Sequence, residues 1–227
     1  MAIVTVNNVS RIYHQGKTEF KALDDVSLTI NKGEFTALAG PSGSGKTTLL
    51  NLIGGIDTAD KGTILLDGQD LSSLKKGELA DLRLQDIGFV FQSFNLIPVL
   101  TAAENVEYIL RLQKIPSSIR RQKVKAILAD VGLADKADQR PSELSGGQQQ
   151  RIAVARAVVA SPAIVLADEP TANLDSVTGQ KLLDLMQQMN TDKQVTFVFA
   201  THDKMVMDYA RRVITLKDGR IADDIRK

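Results

Sequence analysis

The chain has no cysteine and no tryptophan among its 227 residues, and only two histidines, His14 and His202. Without cysteine there is no disulfide, thiolate zinc site, iron–sulfur cluster or cysteine nucleophile. Two histidines are too few for a histidine-rich metal site. Neither sign of charge dominates, since 28 Lys+Arg against 27 Asp+Glu leave +1. That gives no overall attraction to nucleic acid or anionic lipid and counts against a nucleic-acid partner. No run approaches the ~20 apolar residues of a membrane span, and Met1 to Val6 lacks the basic start and apolar stretch of a secretory signal. These absences point to a cytoplasmic protein that reaches any membrane through a partner. The remaining composition, 43% hydrophobic and 24% charged, is that of a folded globular chain, long enough to bury roughly 70% of its unfolded surface.

Apolar alternation at Val26, Leu28 and Ile30, the turn Asn31-Lys32-Gly33, and then Phe35 to Ala39 predict a two-stranded hairpin. Thr63 to Leu66 before Asp67-Gly68 predicts another strand, and Ile87 to Phe91 a third. Ile164 to Ala167 is wholly apolar and bounded by Pro162 and Asp168-Glu169-Pro170, the pattern of a buried central strand. Thr196 to Ala200 and Val213 to Leu216 repeat it. Such strands separated by helices imply an α/β fold with a mainly parallel sheet and an antiparallel edge. From Thr101 to Ala160 the pattern is helical. Thr101 to Glu104 forms a capping box opening a helix to about Lys114, Ser118 to Val131 a second helix stopped by Gly132, and Ser145 to Gln148 a box opening a third.

Gly40-Pro41-Ser42-Gly43-Ser44-Gly45-Lys46-Thr47 fits the phosphate-binding loop G-x-x-x-x-G-K-[ST], between a predicted strand and the apolar helix Thr48 to Ile53. The glycines let successive backbone N–H groups point at phosphate oxygens, and the helix start adds its positive dipole end. Lys46 supplies charge to the β- and γ-phosphates, and the Thr47 hydroxyl can ligate Mg²⁺. An ordinary glycine turn is the bland alternative, but the pattern arises by chance in roughly one chain in a hundred of this length. Asp168 and Glu169 end the apolar strand. Alone, they would suit the acidic first turn of a helix. Beside a phosphate loop, Asp168 can reach Mg²⁺ through water and Glu169 can activate an attacking water.

Leu144-Ser145-Gly146-Gly147-Gln148 is a second glycine-rich helix start, hence a second candidate anion site. With the loop and the Asp-Glu pair, it resembles the ATP-binding-cassette family, whose signature motif it matches without substitution, and the resemblance covers the chain from Tyr13 to about Arg220. The resemblance marks Gln92 as the Q-loop glutamine, Ala172-Asn173-Leu174-Asp175 as the D-loop, His202 as the switch histidine and Tyr13 as the aromatic that stacks on adenine. It implies one P-loop NTPase domain over residues 1–227, with a core of 1–92 and 161–227 and a helical subdomain at about 93–160. ATP and Mg²⁺ are the implied ligands. Gly40, Pro41, Ser42, Gly43, Ser44, Gly45, Lys46, Thr47 and Thr48 would hold phosphates, and Thr47, Gln92 and Asp168 the metal. Glu169 would be the general base, His202 would contact the γ-phosphate, and Ser145, Gly147 and Gln148 would complete the site of a second copy. The implied partners are that second ATPase subunit and integral membrane permease subunits.

Asp81-Leu82-Arg83, Gly88 to Gln92, Phe94 to Pro98 and Pro170 to Asp175 resemble the lipoprotein-releasing and macrolide-exporter ATPases. A chain ending soon after Asp218-Gly219-Arg220 is expected to be a separate subunit or an excised domain. The implied activity is ATP hydrolysis driving a transporter from the cytoplasmic face of the membrane. The alternative is a mechanotransmitter of the cell-division type, and one cassette without cysteine counts against the translation and DNA-repair members. The apolar cluster Phe94, Leu96, Ile97, Pro98 and Leu100 beside Gln92 is the expected docking surface for a short helix of the membrane partner, with packing on the following helix as its alternative. Arg120, Arg121, Lys123 and Lys125 read as a solvated helix face.

Overall fold

The computed structural model describes residues 1–16 and 18–227. β1 (Ala2–Gln15) and β2 (Thr18–Asn31) pair antiparallel, and β3 (Phe35–Ala39) leads into α1 (Lys46–Ile53). β4 (Lys61–Leu66), β5 (Gln69–Asp70), α2 (Lys76–Asp86) and β6 (Ile87–Val90) follow. Three helices come next, α3 (Ala102–Leu112), α4 (Ser117–Asp130) and α5 (Gly146–Val158). β7 (Ile164–Asp168), α6 (Ser176–Lys193), β8 (Phe197–Thr201), α7 (Lys204–Tyr209), β9 (Arg212–Lys217) and β10 (Arg220–Arg226) complete the chain.

Two sheets result. One is antiparallel, in the order β2-β1-β4-β5, and the other runs β10-β9-β3-β8-β7-β6. In the second, every pair from β9 to β6 is parallel and only β10 is antiparallel. Its central strands are apolar on both faces because both are covered. Phe197, Phe199, Val165 and Ala167 face a core shared with α3 to α6. Val198, Ala200, Ile164 and Leu166 face a second core closed by α1, α2 and the antiparallel sheet.

The expected hairpin does not form. β2 pairs with β1, and β3 enters the other sheet between β8 and β9. The turn between them is captured from afar, as Gly33 N donates to Thr196 Oγ1 (2.9 Å) and Asn190 Nδ2 donates to Gly33 O (2.9 Å). The capping boxes of α3 and α5 form as predicted. α5 packs against both α3 and β6, so the helical segment is continuous with the sheet's own core. Arg120 belongs to this packing, donating to Glu107 Oε1 (2.7 Å) and Ile115 O (2.6 Å).

Arg212, only 7% exposed, ties the sheets together. It forks onto Asp224 of β10 (2.8 and 2.7 Å) and donates to Thr29 O of β2 (2.6 Å) and Glu34 (3.0 Å). Burial alone would raise the Glu34 pKa, but hydrogen bonds from Asn31 and Arg212 outweigh it and hold the carboxyl below its ordinary range. The Arg212 fork does the same for Asp224. Arg212→Ala is expected to lower the unfolding free energy by about 3 kcal/mol, since it strands partly buried carboxylates. Depressed carboxyl pKa values give stability that is present above the unfolded values and lost as pH falls through the folded ones. The gap between wild type and variant should therefore close below about pH 4. Urea denaturation at neutral pH and at about pH 2 measures it, and an undiminished gap in acid would contradict the assignment.

Candidate nucleotide site

The site lies where strands of the parallel sheet end. A 500 Å³ cavity is lined by Pro41, Ser42, Gly43, Gly45, Lys46, Thr47 and Thr48 after β3, Gln92 after β6, Asp168 and Glu169 of the β7 end, and His202 after β8. Phe20, Ala22 and Ala172 complete the lining. The spacing of the glycines is set by contact. A Cβ on Gly45 (φ +101°) would stand 2.5 Å from Ala22 O, and one on Gly40 (φ +145°) 2.2 Å from Leu216 O. The loop therefore folds tightly beneath the start of α1. That helix start has no side-chain cap, so its first N–H groups remain free to bind an anion. Ser44 Oγ is buried there without a partner. Lys46 Nζ arches over the loop, donating to Gly40 O (2.8 Å) and Pro41 O (2.9 Å).

Thr47 Oγ1 donates to Asp168 Oδ1 (3.1 Å), which joins the loop to β7. Burial pushes the Asp168 carboxyl up; the Thr47 hydroxyl and Lys46 oppose the shift and Glu169 adds to it. A half-buried carboxylate beside a hydroxyl and the Gln92 amide is an all-oxygen donor set, suited to Mg²⁺. Among the described residues no three or more His, Asp or Glu gather as a metal site. Glu169 follows in a left-handed conformation (φ +45°). Its Oε2 accepts from Thr201 Oγ1 (3.1 Å), and its Oε1 lies 2.7 Å from His202 Nδ1. Both oxygens are held while the group faces the cavity, the arrangement an oriented general base requires.

Other predicted residues lie elsewhere. Ser145, Gly147 and Gln148 do not line this cavity. Ser145 and Gln148 cap their own helix, with Ser145 N donating to Gln148 Oε1 (2.8 Å) and Gln148 N to Ser145 Oγ (3.3 Å). Gly147 is required by packing within the chain, since a Cβ there would stand 2.3 Å from Thr178 Cγ2. Tyr13 is also outside the lining, and Phe20, its partner in the β1–β2 register, is inside it.

The apolar cluster after Gln92 divides. Ile97 lines a separate 390 Å³ groove with Phe89, Phe91, Tyr108 and Arg156, whereas Leu96 packs into the core. Buried Asn105 pins the rest, accepting from Ile97 N (2.7 Å) and donating to the carbonyls of Ile97, Leu100 and Thr101. The sequence reading missed the fastening of the Gln92 loop. From α5, Gln150 donates to Phe91 O (3.3 Å), and Arg156 to Phe94 O (2.9 Å) and Asn95 O (2.5 Å). Asn173 donates to Gln92 O (2.9 Å). Phe94 and Asn95 are both left-handed (φ +61° and +49°), and Arg156 holds them there. The only signal in sequence is a polar side chain within an otherwise apolar helix face.

Residues 23–172 match the family described as ABC transporter. The chain is 44% identical over 223 residues to the ABC transporter ATP-binding protein YxdL of Bacillus subtilis (strain 168), covering 98% of this chain and 86% of that one. It is 42% identical over 227 residues to the macrolide export ATP-binding/permease protein MacB of Aggregatibacter actinomycetemcomitans, of which it spans 35%. The dimeric structure of a post-hydrolysis state of the ATP-binding cassette MJ0796 bound to ADP and Pi matches it with TM-score 0.90 and 42% identity, covering 98% of both chains.

The Arg156 fork yields a test of the fastening. Arg156→Ala should lower the unfolding free energy by about 2 kcal/mol, the scale of charged hydrogen bonds, and speed amide exchange across residues 91–97. Arg156→Lys should fall between, because it keeps the charge but lacks the planar fork whose two nitrogens reach Phe94 O and Asn95 O separately. Unchanged exchange in Arg156→Ala would remove the clamp from the account.

Proposed function

The chain belongs to the ABC transporter family as one of its ATP-hydrolysing cassettes, and on that premise we propose that two copies bind two ATP molecules head to tail. In this reading the cycle drives an export-type or lipoprotein-releasing membrane complex. The observation that carries it is the convergence of Lys46, Thr47, Asp168, Glu169 and His202 on one cavity. The free N–H groups of α1 and the Lys46 ammonium bind the phosphates, and Tyr13 carries the base. Mg²⁺, held by Thr47, Gln92 and Asp168, would neutralise charge developing on the phosphate oxygens. Glu169, oriented by Thr201 and His202, takes the proton of the attacking water, and His202 contacts the γ-phosphate. Ser145, Gly147 and Gln148 serve the partner copy's ATP. The dimeric MJ0796 cassette supports the pairing.

Glu169→Gln keeps the shape and removes the base, so ATP should bind while turnover falls ~10²–10⁴-fold. The trapped ATP form should run as a dimer in size-exclusion chromatography. In that background, Lys46→Ala or Gly146→Glu alone should abolish the dimer, and mixing the two should restore it through one intact composite site. Gly146 suits the test because a Cβ there meets only ordinary contacts, the nearest being Phe94 at 3.6 Å. Near-normal hydrolysis removes Glu169 from its role, and failure of the mixture removes the head-to-tail pairing.

The chain works on the cytoplasmic face of the membrane through a permease. No helix among the described residues is long and apolar enough to cross a membrane. The MacB relative's name joins an ATP-binding part to a permease. The groove beside Gln92 is the surface we assign to that partner. Single cysteines at exposed Ser93 and Asn95 should cross-link to a membrane subunit in native membranes, with a yield that changes with ATP. Active variants without any cross-link would eliminate this surface.

A further inference from the structure

Tyr13 is not a free ring. Arg11 and Tyr13 lie two residues apart on β1, hence on one face of the strand, and the Arg11 guanidinium sits 4.8 Å from the centroid of the Tyr13 ring. The Tyr13 hydroxyl donates to Asp57 Oδ2 (2.8 Å). Asp57 stands in the loop after α1 and also receives the Arg11 fork, at 3.0 Å to Oδ2 and 2.8 Å to Oδ1. Asp60 holds the third guanidinium nitrogen (3.1 Å). The Arg11 and Asp57 side chains are only 19% and 23% exposed, so the pair is a braced element rather than a loose surface contact. Across the ladder, Phe20 lies opposite Tyr13 and lines the phosphate cavity. Opposed residues of an antiparallel pair project to the same side. Tyr13 therefore stands beside the cavity, with its hydroxyl tethered and one ring face covered.

We propose that Arg11 and Asp57 are positioning residues that fix the Tyr13 ring as the platform for the nucleotide base. The inference rests on the reading of Tyr13 as that platform and says what prepares it. A tyrosine ring turns about two bonds, and stacking a base on a mobile ring costs rotamer freedom at each binding event. The Asp57 tether fixes the ring before binding. Arg11 takes one π-face by a cation–π contact and leaves the other to the base. The helix that presents phosphate-binding amides at its first turn thus reaches the base through the loop at its end.

The test separates base from phosphate. Isothermal titration with ATP and with inorganic tripolyphosphate, which carries no base, is run on full-length Arg11→Ala, Asp57→Asn and Tyr13→Ala. All three should bind ATP about tenfold more weakly, with tripolyphosphate affinity within about twofold of wild type. The double variant Arg11→Ala/Tyr13→Ala should lose no more than Tyr13→Ala alone, because Arg11 acts through the ring. Arg11→Lys should recover only part of the loss, since it keeps the charge without the fork. If Tyr13→Ala weakens ATP while Arg11→Ala and Asp57→Asn do not, the positioning role is overturned and the platform stands. Should Tyr13→Ala leave ATP affinity intact, the platform itself is wrong and the inference falls with it. Equal loss of tripolyphosphate binding by a folded variant, judged by thermal melting, makes the pair a general structural support and also overturns the proposal. Where a variant does not fold, Tyr13→Phe, which removes only the tethered hydroxyl, must still weaken ATP and spare tripolyphosphate.

Discussion

In the parallel ladder Ala39 stands opposite Thr201, and Asp168 opposite Ala200. The loops that leave β3, β8 and β7 therefore emerge at one end of the strands, each a strand spacing from the next. Everything at the site depends on that register. A slip of one residue would turn Asp168 to the opposite face and bury its carboxylate among the apolar side chains of a core. The strands β3, β7 and β8 are buried on both faces, so each chemical group rests on an apolar platform. Open α/β sheets place ligands at the carboxyl ends of their strands for this reason.

The helical segment shares the sheet's apolar core, and its polar fastening falls on the loop that carries Gln92. Gln150 and Arg156 come from α5, and Asn173 from the segment after Glu169. Each donates to a backbone carbonyl, so the loop takes its shape from α5 and the β7 end rather than from its own sequence. The same Arg156 lines the groove beside the loop. A ligand in the groove and a ligand at Gln92 thus bear on the same few residues. That is physical contiguity between two sites, the minimum that energetic coupling needs.

Much of this was legible because the relevant physics is local. A glycine loop between strand and helix, an apolar run ending in two carboxylates and a Ser-x-x-Gln capping box each declare themselves within a few residues. The β2–β3 connection failed because its deciding partners, Thr196 and Asn190, are more than 150 residues away in sequence. α2 was missed because only Leu79 and Leu82 of its residues are buried, too few for a helical period. β1 was hidden by the irregularities of its pairing with β2, which break the alternation. The fastening of the Gln92 loop and the Arg11–Asp57–Tyr13 set are tertiary facts, and a polar residue in a helix or strand does not announce its partner.

The two glycine-rich helix starts also separate in a way their sequences do not reveal. Both carry the residues of an anion site. At α1 no side chain caps the helix, and the neighbouring Ser44 hydroxyl is buried without a partner, so its donors are available to an incoming phosphate. At α5 the Ser145 and Gln148 side chains already satisfy each other's backbone N–H groups. Gly147 answers to the close approach of Thr178 within the chain. The first start can bind a phosphate by itself. The second has already spent the Ser145 and Gln148 N–H groups on its own cap and does not line the chain's own cavity. The two starts therefore differ in what they offer an anion, although their sequences read alike.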